Sequence, residues 1–138
     1  MNLLLLWRKR KYGYFFPGLI VGAIILQVAI IAPSMFRTLD LGNFGKAIRA
    51  IWPKFFAMIA ILGALSTAVV YLNDNNSLYH LIISIITTVL ATICYAIIPA
   101  TNKATDEGNQ KTFNILHRIS VGFTITILIL NIAFPFLP

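Results

Sequence analysis

The side chains that could take part in catalysis are few and far apart in this sequence. Its acids are Asp40, Asp74, Asp106 and Glu107, and all four fall in predicted loops. No carboxylate lies in the middle of an apolar run, where a proton-coupled carrier usually has one. The sequence therefore offers no buried pair of carboxylates for acid–base chemistry, and we expect no enzymatic activity.

The two histidines and the single cysteine do not form a predicted metal site. His80 begins the third apolar run and His117 precedes the fourth, so a chain of four spans places them at opposite membrane faces. No His-Glu-x-x-His motif or Cys/His cluster is present. Cys94 lies in an apolar run and has no partner for an intramolecular disulfide, so we interpret it as a small packing residue. The sequence predicts no metal and no cofactor.

The composition argues against an ordinary water-soluble domain. Of the 138 residues, 59% are hydrophobic and 11% are charged, and the mean hydropathy is +0.85. Soluble domains average about 45–50% apolar and about 25% charged residues. The net charge of +7 would suit a nucleic-acid partner in a soluble protein, but the basic residues all lie outside the apolar runs, where Lys and Arg mark membrane borders. We expect a lipid bilayer as the partner and no nucleic acid.

Four apolar runs are each long enough to cross the roughly 30 Å hydrocarbon core as a helix. They cover about residues 14–32, 55–72, 78–100 and 119–137. The first run is longer than the apolar part of a signal peptide, so we expect it to be retained. Between the first two runs, Phe44, Ile48 and Ile51 lie on one side of residues 41–54, and Lys46 and Arg49 lie on another, which is typical of a short interfacial helix.

The sequence therefore predicts a single all-α membrane domain over residues 1–138. Its architecture is a bundle of four transmembrane helices, with an amphipathic interfacial helix between helices one and two. In the second span Ala60, Ala64 and Ala68 recur every four residues on one helical face. We expect this stripe to pack against another helix, as small residues do in membranes. We expect greater exposure to lipid for Ile59, Ile61 and Leu62.

Charges at the two membrane faces leave the orientation open. With four spans, the first and third loops share one face, and they hold seven of the eleven basic residues. The positive-inside rule then favours cytoplasmic loops. The other four basic residues form a run at residues 8–11, which is itself hard to move across a membrane. Because the first helix often dominates the outcome, this tail favours the opposite orientation.

Two sets of motifs lie at the ends of the first and third loops. Residues 32–37 (APSMFR) and 51–56 (IWPKFF) flank the first loop, whereas residues 98–102 (IPATN), 106–109 (DEGN) and 113–120 (FNILHRIS) follow one another around the third. In order and spacing these stretches resemble the transmembrane protein 205-like family, in bacteria an integral membrane domain of unknown function. The resemblance implies a four-helix protein of the bacterial inner (plasma) membrane. It implies no established reaction.

The motifs and the topology together predict a polar site at the face of loops one and three. Its candidate residues are Arg37, Arg49, Lys54, Asn102, Asp106, His117 and Arg118. We expect Arg37 to lie near Asp106 or Asn102, with His117 on the same face, because an arginine at a helix end must either pair or reach for the interface. Asp40 is excluded as its partner if it caps the helix that follows. The alternative is that these residues are interfacial anchors and loop caps.

Three functional hypotheses follow. The first is a non-enzymatic accessory, assembly or scaffold component that packs its helices against a membrane-protein partner, whereas an isolated homo-oligomer would favour the second. The second is an oligomeric transporter or channel for a small solute or ion, which would need a polar path past Gln27, Thr87 and Thr124. The third is a membrane enzyme that works on the motif-bearing loop face.

Overall fold

The computed structural model describes residues 13–73 and 77–138, and all of its regular secondary structure over these ranges is helical. The basic run at residues 8–11 and Asp74 lie outside the described residues. Each of the helices is long and apolar enough to cross a membrane, which confirms the all-α, four-span prediction. The helices are α1 (Phe15–Thr38), α2 (Leu41–Tyr71), α3 (Leu78–Asp106) and α4 (Gln110–Phe136).

All four helices extend well beyond the apolar runs at the end of the bundle that carries the first and third loops, and α1 continues past Ala32 to Thr38. The largest extension belongs to α2, which begins at Leu41 rather than near residue 55 and continues through Pro53 without a break. Residues 41–54 are thus helical as expected, but they form the first half of α2 and not a separate interfacial helix. Similarly, α3 continues past Ala100 to Asp106, and α4 begins at Gln110.

Short, capped connections join the helices at this end. Asp40 caps α2, because its carboxylate accepts hydrogen bonds from the backbone N–H of Asn43 at 2.9 Å and from the Asn43 side-chain amide at 2.6 Å. These bonds lower the pKa of Asp40, and the expected capping role is confirmed. In the third loop Gly108 adopts a φ of +67°, which favours glycine after a helix. Asn109 then caps α4 by accepting the backbone N–H of Thr112 at 3.1 Å.

A π-helical turn, Leu26–Ile31, interrupts α1. Such turns are uncommon and often occur at functional positions. The turn contains Gln27, whose side chain is 4% exposed. Its amide nitrogen Nε2 has no hydrogen-bond partner in the part of the chain that the structure describes. A buried amide without a partner destabilises a protein, so Gln27 stands out among the interior side chains.

The helices pack around an apolar core that is crossed by polar contacts. α3 packs against both α2 and α4, and α1 packs against α2 and α4. Ser66 of α2 and Ser84 of α3 are hydrogen-bonded at 3.0 Å. The Asn131 side chain of α4 donates to the Thr87 hydroxyl of α3 at 2.8 Å. These bonds connect neighbouring helices where no water is available to satisfy the groups.

The predicted packing face of α2 was wrong for Ala64 and Ala68, although Ala60 is partly buried and packs against the core as expected. Ala64 and Ala68 are exposed on the outside of the bundle, whereas Ile59, expected to face lipid, is 1% exposed. The face toward α3 instead carries Gly63, where an added Cβ would lie 2.7 Å from the hydroxyl oxygen of Thr88. Ile61 is 60% exposed, as expected. Alanine and isoleucine are both compatible with lipid, so their pattern alone does not identify the inner face.

Candidate functional site

A cavity of about 420 Å³ opens at the end of the bundle that carries the first and third loops. All four helices contribute to its wall, and the wall combines aromatic, aliphatic and polar side chains. The lining residues are Ala32, Phe44, Gly45, Ile48, Arg49, Trp52, Phe56, Ile98, Thr101, Asn102, Thr105, Phe113, His117 and Ser120. Its volume lies within the roughly 300–1,000 Å³ typical of small-molecule sites.

An ion pair joins two helices at the rim of this cavity. The Arg49 guanidinium on α2 donates two hydrogen bonds to the Asp106 carboxylate at the end of α3, at 2.5 and 3.3 Å. The side chains are 39% and 61% exposed, so solvent and salt weaken their attraction. The two-point geometry nevertheless fixes the direction of both groups. Asp106 therefore connects the third loop to α2.

The predicted partner of Asp106 was wrong, because Arg49 occupies the position expected for Arg37. Arg37 lies in the last turn of α1 and is exposed. No hydrogen bond or ion pair joins it to residues 101–118 within the described ranges. The continuous helix of α2 explains the difference, since it carries Arg49 inward from loop one to the end of α3, whereas Arg37 remains on the far side of the break between α1 and α2.

The other predicted site residues divide into two groups. Asn102 and His117 line the cavity together with Arg49. Lys54 and Arg118 are exposed and lie outside its wall. Three of the seven predicted residues therefore line the cavity, Asp106 pairs with Arg49 at its rim, and Arg37, Lys54 and Arg118 lie on the surface.

The two histidines lie at opposite ends of the bundle. The ring of His117 stacks on that of Phe113, one turn earlier on α4, with centroids 5.5 Å apart and planes 7° from parallel. His80 is 6% exposed and lies between the Ser77 hydroxyl, 2.8 Å from Nδ1, and the Phe134 carbonyl, 2.9 Å from Nε2. Since a carbonyl only accepts, Nε2 donates to Phe134. Among the described residues, no three His, Cys, Asp or Glu side chains group closely enough to hold a metal.

The sequence matches the domain of unknown function DUF4149 over residues 15–110. The chain belongs to this family. The matched range runs from α1 to the first residue of α4, and it contains eleven of the fourteen cavity residues. No curated protein and no solved structure matches the chain. Because the function of this family is unknown, membership does not assign a reaction to the chain.

The aromatic part of the cavity wall was not predicted. Phe44, Ile48, Trp52 and Phe56 all line the cavity, and they recur every fourth residue along α2. The rings of Trp52 and Phe56 have centroids 5.2 Å apart. The spacing is visible in the sequence, but it becomes a single face only when residues 41–54 and the second span form one continuous helix, whereas the sequence predicted a separate interfacial helix.

Charge is concentrated in the helical extensions around the cavity. We call residues 33–54 and 101–118 the platform. It holds seven basic and three acidic side chains, a net charge of +4. One further ion pair, between Lys103 and Glu107 at 3.7 Å, lies on its surface. The platform is therefore a basic helical surface with a largely apolar cavity inside it.

Proposed function

We propose that this protein is a non-enzymatic accessory, assembly or scaffold component of the bacterial inner membrane, and that its platform is where a partner protein binds. The likeness of its loop motifs to the transmembrane protein 205-like family supports the location. The main support for a partner-binding role is the platform itself. Its helices continue past the apolar runs, and the ion pair between Arg49 and Asp106 joins two of them.

The dimensions of the platform support a docking role. The fourteen residues of α2 that precede residue 55 correspond to about 21 Å of helix at 1.5 Å per residue. A bilayer adds only about 5–8 Å of headgroup layer on each side of its hydrocarbon core. An axial helix of this length would emerge from the headgroups and present side chains to proteins in the adjacent water.

Unpaired cations on the platform favour an acidic partner surface. Lys46 and Lys54 on α2, and Lys111 and Arg118 on α4, are exposed. None has a hydrogen-bond or ion-pair partner among residues 13–73 and 77–138. Complementary charge steers association and fixes register. These residues provide the polar rim of an interface, and the apolar outer faces of the helices provide contacts within the bilayer.

Contacts inside the bundle support a structural role for its polar residues. The Thr87 hydroxyl already bonds Asn131, and Ser66 already bonds Ser84. Thr124 donates to the carbonyl of Ser120 one turn away. The bonds of Thr87 and Ser66 join neighbouring helices, whereas that of Thr124 lies within α4. Side chains that are satisfied in these ways are poorly placed to coordinate a moving solute.

Co-purification tests this proposal. The full-length tagged protein would be extracted from its native membrane in mild detergent, and co-purifying proteins would be identified and quantified. We expect one partner at a fixed ratio, lost when Lys46, Lys54 and Lys111 are all changed to Glu. The matched control changes the same three residues to Arg and should retain the partner. Recovery of homo-oligomers alone would contradict the proposal, as would a partner that survives the Lys→Glu changes.

One observation favours the alternative of an oligomeric transporter or channel. The unpartnered amide of Gln27 in the π-helical turn of α1 is the kind of polar group that lines a solute path. In this alternative, purified protein in vesicles would conduct or take up a small solute or ion, and Gln27→Leu would abolish the flux. Absence of flux from correctly reconstituted wild-type protein would exclude it.

A further inference from the structure

The wall of the cavity continues from the apolar runs into the helical extensions, so in a bilayer it would cross the boundary between hydrocarbon and headgroups. Phe56 and Ile98 lie within the apolar runs at residues 55–72 and 78–100, whereas Phe44, Arg49 and Thr105 lie in the helical extensions. The twelve helical steps from Phe44 to Phe56 correspond to about 18 Å along α2. That length exceeds the headgroup layer, which is about 5–8 Å thick on each side. One end of the cavity therefore meets acyl chains and the other meets the polar interface.

The chemistry of the wall follows the same division. Trp52 and Phe56 form an aromatic surface toward the hydrocarbon, with ring centroids 5.2 Å apart. Toward the interface lie Arg49 and Asn102. An occupant that satisfies both parts must carry an apolar chain next to a polar group.

Several hydrogen-bonding groups at the cavity have no protein partner. The side chains of Asn102, His117 and Ser120 line it, and the structure records no hydrogen bond for any of their polar side-chain atoms among the described residues. The Arg49 guanidinium has five N–H donors and gives two bonds to Asp106. Its remaining donors are available to an oxygen-rich group. A phosphodiester, which accepts several hydrogen bonds at once, fits this set.

The surrounding charge selects the headgroup. The platform carries a net charge of +4, and basic pockets between transmembrane helices bind anionic lipid headgroups. We propose that the cavity binds one anionic glycerophospholipid, with its phosphate at Arg49 and Asn102 and the upper part of an acyl chain against Trp52 and Phe56. This binding is independent of the partner role proposed above.

Native mass spectrometry of the full-length protein tests the lipid site. The protein would be released from vesicles that contain equal amounts of phosphatidylglycerol and phosphatidylcholine. We expect one retained phosphatidylglycerol per chain. Arg49→Gln should weaken its binding about tenfold, the equivalent of one charge-assisted hydrogen bond. The matched control, Lys54→Gln, removes the same charge from the same helix outside the cavity and should change binding less than about twofold.

A second variant places a larger side chain in the cavity without removing a charge. Gly45 lies in its wall, and an added Cβ there would meet no atom within 4 Å. Gly45→Leu should therefore fold, retain its thermal stability and lose the bound lipid. Glycerol 3-phosphate, a soluble source of the same phosphate, should not compete at millimolar concentration, because it lacks the acyl chain.

Three results would overturn the inference. These are equal retention of phosphatidylcholine, lipid binding unchanged in a folded Gly45→Leu variant, and equal losses in Arg49→Gln and Lys54→Gln. Displacement of the lipid by glycerol 3-phosphate would identify the site as one for a free phosphate and would overturn the lipid assignment as well.

Discussion

Replacing Gly63 by alanine is expected to push α2 away from α3. An added Cβ would lie 2.7 Å from the Thr88 hydroxyl oxygen, 3.0 Å from the Thr88 backbone nitrogen and 3.2 Å from the Thr87 methyl carbon. The hydroxyl could rotate, but the backbone nitrogen is part of α3 and cannot move alone. The helices must therefore separate, which also loosens the Ser66–Ser84 hydrogen bond one turn further along.

The magnitude follows from a matched pair of variants. Inserting a methyl group into a well-packed interior costs about 1–3 kcal/mol. Alanine also favours the helix over glycine by up to about 1 kcal/mol, which partly offsets that cost. Gly22→Ala gains the same preference without the clash, since its added Cβ meets nothing within 4 Å. We therefore expect Gly63→Ala to be less stable than Gly22→Ala by about 1–3 kcal/mol.

Unfolding in mixed detergent micelles measures this difference. Far-ultraviolet circular dichroism would follow the loss of helix as the fraction of denaturing detergent rises, and the two variants would be compared with the wild type. Equal starting helix content is the control that both proteins fold. If the two variants unfold at the same midpoint, the close approach of α2 and α3 at Gly63 is refuted.

The remaining predictions concern interior amides and a helix cap. Gln27→Leu removes an unpartnered buried amide and should raise the free energy of unfolding by about 1–3 kcal/mol in the same assay. Asn131→Leu breaks the hydrogen bond to Thr87 and should lower the free energy of unfolding by about 0.6–1.7 kcal/mol. A variant as stable as the wild type would show that this bond does not stabilise the protein. Asp40→Ala should destabilise the protein at neutral pH, whereas Asp40→Asn should not. Because folding lowers the pKa of Asp40, its charge contribution is present above the pKa of an unfolded aspartate and lost as the pH falls through the folded value. The difference between Asp40→Ala and wild type should therefore shrink in acid, and a constant difference would contradict this.

The spans were predictable because length and polarity are properties of the sequence alone. A helix satisfies its own backbone in lipid, so an uncharged apolar run of sufficient length leaves few alternatives. The cap at Asp40 was predictable for a similarly local reason. The placement of His80 and His117 at opposite ends followed from counting spans, and needed no knowledge of packing.

The inner faces of the helices were not predictable from small residues. Ala64 faces outward and Gly63 faces α3, although both are small and adjacent. In lipid, apolar side chains are tolerated on either face of a helix. The spacing of apolar residues therefore does not identify the buried face, as it does in a water-soluble protein. Hydroxyl residues do not identify the inner face either, because an outward-facing hydroxyl can donate to its own helix backbone, as that of exposed Thr92 does to the Thr88 carbonyl at 2.8 Å.

The site was only partly predictable because it depends on the register between helices. Asp106 and Asn102 were assigned to the correct end of the bundle, but the partner of Asp106 depends on the direction in which α2 emerges. The prediction of a separate interfacial helix over residues 41–54 detached Arg49 from the second span, and Arg37 was expected instead because it lies at the end of the first helix. The continuous helix places Arg49 beside Asp106 instead, at 2.5 Å.

Topology mapping tests the central claim, a four-span protein with loops one and three on one side. Single cysteines would be placed at Asn43, Asn73, Gln110 and Pro138 in a Cys94→Ser background, and labelled with a membrane-impermeant maleimide in vesicles of each orientation. The four-span account predicts that Asn43 and Gln110 label from one side, and Asn73 and Pro138 from the other. Labelling of Asn43 and Gln110 from opposite sides would contradict it.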